Sequence, residues 1–116
     1  MTSTTMRIAL HSTVRDGYRA EHATIPEDLV DTFARVGIHE WTIWGSGDRM
    51  FHLVECDDWD AALAALDQEP ANARWQATIG PFVELYRDGA GEEGFVPLDV
   101  VWDLGRQRAA RAGASA

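Results

Sequence analysis

Residues 6–14, Met-Arg-Ile-Ala-Leu-His-Ser-Thr-Val, alternate, with Met6, Ile8 and Leu10 on one face and Arg7, Ala9 and His11 on the other. A period of two predicts a strand. The spacing then changes. Leu29, Val30, Phe33 and Val36 recur at helical intervals, which predicts a helix over residues 15–36. Pro26 interrupts it, because proline has no N–H and its ring would meet the carbonyl of His22. Gly37 suits the position just past the helix end. Alternation returns over residues 39–45, with His39, Trp41 and Ile43 opposed to Glu40, Thr42 and Trp44. Residues 49–56 continue it after the turn Gly45-Ser46-Gly47-Asp48, so residues 39–56 read as a β-hairpin.

Asp57 or Asp58 can cap a helix over residues 58–67, built on Trp59, Ala62, Leu63 and Leu66. Glu69-Pro70 marks a break. Residues 71–86 read as a further helix, weakened near Gly80-Pro81. The Gly-rich, acidic residues 87–94 read as a solvated loop. Residues 95–104 read as a last strand, with Leu98, Val100 and Trp102 alternating against Asp99, Val101 and Asp103. The resulting order is α+β, ferredoxin-like βαββαβ, within a single domain over residues 6–104. Residues 1–5 and 105–116 are expected to be flexible termini. Two helices cover one sheet face, so apolar residues on the other face call for a partner, and a homodimer is expected.

Composition narrows the function classes. A chain of 116 residues forms one domain with a sufficient core. Its net charge of −9 leaves no basic stripe for nucleic acid and disfavours an anionic membrane surface. The N-terminus is short and polar and no apolar run approaches membrane-spanning length, so neither a secretory signal nor a membrane role is expected. Cys56 is the only cysteine, which rules out an internal disulfide and suits a reducing cytoplasm. Five Trp residues are unusual for this length. Tryptophan fills cores, but its flat face also stacks on sugar rings and other ring ligands.

The candidate chemistry centres on Tyr18-Arg19-Ala20-Glu21-His22. Positions i and i+4 share a helix face, so phenol and imidazole can address one pocket. The break at Pro26 places that imidazole at an irregular point of the backbone, and histidine is the side chain that titrates nearest neutrality. Taken alone, such a pair is more often structural. His11 and His52 lie on strands whose parity does not say which sheet face they occupy. His39 begins a strand after a turn and reads as exposed. No His or Cys spacing suits a metal, and there is no P-loop, G-x-S-x-G or G-x-G-x-x-G. No cofactor is therefore expected. Cys56 reads as a small core residue. Glu55 reads as structural, paired with Arg49 through the sheet. Trp41, Trp44, Trp75 and Trp102, each taken singly, are more often core residues than ligand platforms.

The chain resembles the L-rhamnose mutarotase family, small sugar-epimerising proteins of the dimeric α+β barrel type. The resemblance runs from Arg7 to about Leu104. It rests on Tyr18-x-x-x-His22 with a following Ile25-Pro26-Glu27, on Gly37-Ile38-His39, Thr42-Ile43-Trp44 and Arg49 through Glu55. Arg74-Trp75 and Phe95-Val96-Pro97-Leu98 complete it. The stretches around Ile43–Phe51 and 94–104 look closer to members assigned to L-fucose. The resemblance implies a catalytic His22, a substrate-binding Tyr18, and sugar contacts from Trp41, Trp75 and Gln76. In the rhamnose type a Tyr usually stands at the position of Trp41, a second Trp at that of Gln76, and a Trp where Ile25 precedes Pro26. These differences remake the pocket wall around an intact Tyr18–His22 pair.

The activity so implied is an aldose mutarotase that interconverts the anomers of a 6-deoxy-L-sugar, L-rhamnose or L-fucose, by His-based general acid/base catalysis. The alternative is a cofactor-free α+β barrel reused as a cyclase, oxygenase or ligand-binding module, because this fold does not fix one function.

Overall fold

The computed structural model describes residues 5–86 and 97–114. Its sheet has four antiparallel strands in the order β2-β3-β1-β4. They are β1 (Met6–Val14), β2 (Ile38–Ser46), β3 (Arg49–Cys56) and β4 (Val83–Tyr86). Between β1 and β2 lie α1 (Tyr18–Glu21) and α2 (Glu27–Arg35). Between β3 and β4 lie α3 (Trp59–Leu66), α4 (Pro70–Ile79) and a 3₁₀ turn (Gly80–Phe82). A final helix, α5 (Leu104–Ala114), follows. This is the α+β, ferredoxin-like arrangement that the alternation of patterns predicts.

Parity fixes what faces the helices. Ile8, Leu10, Ser12 and Val14 of β1 and Met50, His52, Val54 and Cys56 of β3 are buried on the covered face. Pairing register carries the same parity into β2, where Trp41 lies opposite Val54 and Ile43 opposite His52. A register shift between Ile38 and Glu40 lets both Ile38 and Trp41 turn inward. Ile8, Leu10, Ile38 and Val54 pack with Trp59, Ala62 and Leu66 of α3. Val14 and Met50 pack with Tyr18, Leu29, Ala71, Trp75 and Ile79. Full burial of an aliphatic side chain such as Leu10 or Val54 contributes about 1.5–3 kcal/mol.

The local signals act as their chemistry requires. Asp58 caps α3 by accepting a hydrogen bond from the Ala61 N–H at 3.0 Å. Gly37 takes a positive φ of 84° just beyond α2. Pro26 starts α2 and separates it from the single turn of α1. Arg74 of α4 pairs with Asp28 of α2, and Arg35 of α2 pairs with Glu69 at 3.1 Å.

Four expectations change. The helix expected over 71–86 stops at Ile79, because Gly80-Pro81 closes it into a 3₁₀ turn, and residues 83–86 form the fourth strand. The strand expected over 95–104 is absent over 97–103, which carry no regular element. That segment still lies beside β1, with the Leu98 N–H donating to the Ala9 carbonyl at 2.8 Å. Residues 95–96, the expected loop over 87–94 and the termini 1–4 and 115–116 lie outside the described residues. Within the C-terminal segment expected to fray, residues 104–114 are helical, and α5 is exposed along its described side chains. Glu55 pairs with Arg7, directly across the ladder, at 3.7 Å, and not with Arg49, whose partner positions are Thr13 and Ser46.

Candidate functional site

The site begins at the turn from β1 into α1. Gly17, at φ 95°, turns the chain out of β1 into α1. Its α-hydrogen side faces Phe82, which leaves no room for a Cβ. Tyr18 then packs inward with 4% of its surface exposed. One turn later His22 closes α1, its N–H donating to the Tyr18 carbonyl at 2.8 Å. The i,i+4 spacing brings their rings to 5.3 Å between centroids. The edge of Trp75 from α4 meets His22 at 5.2 Å and 89°. The chain leaves helical geometry from His22 to Pro26, and His22, Ala23, Thr24 and Ile25 form an opening beside this ring.

That opening leads into a cavity of about 870 Å³, within the range of small-molecule sites. Tyr18, His22, Trp41, Trp75 and Gln76 all line it, as do Ile43, His52 and Asn72. The five residues singled out from the sequence are therefore brought to one cavity. Trp41 stacks on Phe33 at 5.6 Å and 29°, and meets Trp59 at 6.0 Å and 61°. Gln76 Nε2 lies 3.5 Å from Asn72 Oδ1, one helical turn away. Asn72 was not singled out from the sequence, although its i−4 spacing from Gln76 carried the signal.

His52 is the histidine whose place parity left open. It projects from β3 into the covered layer and is buried. Its Nδ1 accepts the indole N–H of Trp41 at 3.0 Å, and its Nε2 lies 3.0 Å from the hydroxyl of buried Ser12. An Nδ1 that accepts carries no proton, so the neutral ring bears its proton on Nε2 and donates it to Ser12. Burial, reinforced by the charges of His22 and His11, pushes the His52 pKa down to about 4. His11 points to the other sheet face, where its ring lies 5.0 Å from Phe51.

Electrostatics separate the remaining groups. Burial lowers the His22 pKa below its ordinary value, opposed in part by a hydrogen bond to its own backbone. Burial pushes the Tyr18 phenol up to about 12. At neutral pH the phenol keeps its proton and can donate, whereas the imidazole is mostly neutral, with one nitrogen to give and one to receive. His39 is exposed and pairs with Asp57 at 2.7 Å. Cys56 is a buried core thiol, its pKa raised by burial and by Asp57 and Asp58. Among the described residues no group of three His, Cys, Asp or Glu side chains is placed to hold a metal ion. Nor is any helix among them long and apolar enough to cross a membrane.

Known structures share this fold. An L-rhamnose mutarotase from Formosa agariphila superposes with a TM-score of 0.65 at 14% identity, over 85% of this chain and 98% of that one. A protein described provisionally as an antibiotic biosynthesis monooxygenase, from Bordetella bronchiseptica, gives 0.57 at 14% identity, over 84% and 98%. A second protein so described, from Chloroflexus aurantiacus, gives 0.53 at 15% identity, over 88% and 100%. These likenesses establish the fold alone. No curated protein matches the chain in sequence. The sequence profile of L-rhamnose mutarotase, by contrast, matches residues 3–104, nearly the whole chain, and the chain therefore belongs to the L-rhamnose mutarotase family.

Proposed function

We propose that the protein is an aldose mutarotase acting on a 6-deoxy-L-sugar, L-rhamnose or L-fucose, with His22 as the proton-transfer group. The observation that carries this reading is the convergence of the Tyr18, His22 and Trp75 rings on one open cavity, in a chain of this family. Mutarotation opens a cyclic hemiacetal and recloses it on the other face of the carbonyl. Opening moves one proton onto the ring oxygen and removes one from the anomeric hydroxyl. Closure reverses both transfers, so nothing is consumed. Protonated His22 gives its proton to the ring oxygen and takes it back on closure, while a water molecule takes the proton of the anomeric hydroxyl and returns it. Tyr18 donates a hydrogen bond to a sugar oxygen. Trp41 and Trp75 offer ring faces to the apolar side of the sugar, and Gln76, beside Asn72, offers an amide to its hydroxyls. A positioned acid or base of this kind contributes about 10²–10⁴-fold.

Saturation-transfer NMR of anomeric exchange, across L-rhamnose, L-fucose and common D-aldoses, tests this directly. One of the 6-deoxy-L-sugars should exchange faster than in buffer. His22→Ala should remove the acceleration and leave the fold intact by circular dichroism. No acceleration of any sugar, or full activity in His22→Ala, would overturn the assignment. A reused barrel acting on an aromatic ligand is the competing reading, favoured by the apolar share of the lining, Phe33, Trp41, Ile43 and Trp75. Binding of planar aromatic acids without any anomeric exchange would select it.

The proposed protein is a homodimer. Trp44 and Phe51 stand in register on the uncovered sheet face, 55% and 43% exposed, and Val101 and Trp102 add exposed apolar surface at 97% and 64%. Exposed apolar surface of this kind is what a second copy would bury. Light scattering that gives a monomer at micromolar concentration would remove this part of the proposal.

A further inference from the structure

The covered face of the sheet holds a polar chain in an otherwise apolar layer, and the acid/base reading of His22 does not use it. Ser12 of β1, His52 of β3 and Trp41 of β2 are linked across three adjacent strands by two hydrogen bonds of 3.0 Å. Ser12 is fully buried and His52 nearly so, while Trp41 is half-buried and reaches the cavity. Buried polar groups persist where they are satisfied and where their geometry specifies an arrangement. The order of the links is directional. Ser12 receives the Nε2 proton, which leaves Nδ1 as an acceptor aimed at the Trp41 indole N–H. Both ring nitrogens are thus engaged within the protein, so His52 neither gives a proton to a bound sugar nor takes one. The indole's polar atom is likewise turned toward β3. Trp41 therefore presents the cavity with a ring face and not a donor.

We propose that His52 is a positioning residue that sets the plane of Trp41, and that position 41 recognises a C–H face of the ligand by stacking, without a hydrogen bond to a hydroxyl. Phe33 behind the indole and Trp59 at its edge confine the ring to a layer. They do not fix its rotation within that layer, which is the freedom the bond to Nδ1 removes. This extends the mutarotase reading of the cavity, since the ligand it positions is the sugar assigned there. In that setting His52 affects substrate binding and leaves the proton transfer at His22 unaltered.

Three variants separate this role from a catalytic or a merely structural one. His52→Leu removes the acceptor, and Ser12→Ala removes the group that fixes its tautomer. His52→Asn restores an acceptor close to the position of Nδ1 with no titrating ring. The first reading is the indole ¹H–¹⁵N cross-peak of Trp41, assigned with Trp41→Phe, in the full chain without sugar. It should move upfield in His52→Leu, move less in Ser12→Ala, and stay near its original place in His52→Asn. The second reading is anomeric exchange, where His52→Leu should raise KM by up to about tenfold, the worth of one hydrogen bond, with kcat held within about twofold. His52→Asn should recover most of that loss. An unmoved cross-peak in both His52→Leu and Ser12→Ala would overturn the proposal, and so would loss of kcat in all three variants together. Should His52→Leu not fold, Ser12→Ala and His52→Asn still decide it. If no sugar is turned over at all, the mutarotase reading fails, while the cross-peak still tests the positioning of Trp41.

Discussion

Acid should destabilise this protein through His52 in a defined window. Burial holds the His52 pKa at about 4 against an ordinary value of 6.5. In the folded state the ring stays neutral where the unfolded chain already binds a proton. Stability rises with pH wherever the unfolded state holds more protons. The His52 contribution is therefore complete above pH 6.5. It is lost as pH falls from 6.5, and the loss is finished near pH 4. A displacement of that size corresponds to about 3 kcal/mol, at about 1.4 kcal/mol per unit. Against a typical domain stability of about 5–15 kcal/mol, this is a large share. The assay is urea unfolding at half-unit steps from pH 7.5 to 3.5, with His52→Asn alongside. That variant keeps an acceptor toward Trp41 but does not titrate, so other groups cancel in the difference. The difference curve should be flat above pH 6.5 and fall by about 3 kcal/mol toward pH 4. Parallel curves across the whole range would refute the reasoning. So would an NMR titration that places the folded His52 ring near 6.5.

Other perturbations reach different links of the argument. Gly17→Ala should destabilise by about 1–3 kcal/mol, because a side chain is strained at positive φ and Phe82 occupies the space a Cβ needs; thermal melts measure this, and a neutral result would mean the turn relaxes. Asp58→Ala removes the cap of α3 and should cost about 0.5–2 kcal/mol in urea unfolding, with Asp58→Asn close to neutral. Leu10→Ala empties a fully buried site and should cost about 2–5 kcal/mol, read by the same unfolding curves. Tyr18→Phe should slow anomeric exchange by the equivalent of about 0.5–1.5 kcal/mol and leave the pH profile unchanged up to pH 9, since the phenol holds its proton to about 12. Exchange should rise on acidification through an inflection below 6.5, because only protonated His22 has a proton to give the ring oxygen as a general acid; His22→Ala should lack that inflection.

Period-two alternation was legible for β1, β2 and β3, because a strand with one buried face leaves its parity in the sequence. Parity does not say which face the helices cover. His11 and His52 were for that reason equivalent on paper, and only the crossover of α2 and α3 onto one face separates them. Glu55 shows the same limit. Its partner depends on register, which places Arg7 opposite it and Arg49 at the far end of the strand. β4 reads as helix in the sequence because Val83–Tyr86 is only four residues long, too short for a period to declare itself after Gly80-Pro81. The alternation over 95–104 reads as a strand, yet of its described residues it is the Leu98 N–H that bonds to β1, at Ala9. Tyr18 and His22 are legible as a pair because their helical spacing and the Pro26 break are local, whereas Trp41, Trp75 and Gln76 join them in the sequence only through the family resemblance. Ser12 and Asn72 are not legible, since what they touch is decided by strand pairing and by helix packing.

The cavity and the core are one layer here, and that has a consequence for how the site tolerates change. Trp41, Ile43 and His52 line the cavity from the same strand face that packs Val54, Ile38 and Cys56 against α3. A substitution at Trp41 or His52 therefore perturbs packing and ligand contact together. Tyr18 and Trp75 are also buried core residues. His22 differs. It closes a one-turn helix, is only half-buried, and is followed by residues free of the helical ladder until Pro26. Its imidazole can be removed without emptying a core site, because the chain around it already leaves regular structure. The residue assigned the proton transfer is thus the one cavity aromatic that the fold depends on least, while the rings around it gain their precise placement from being part of the core.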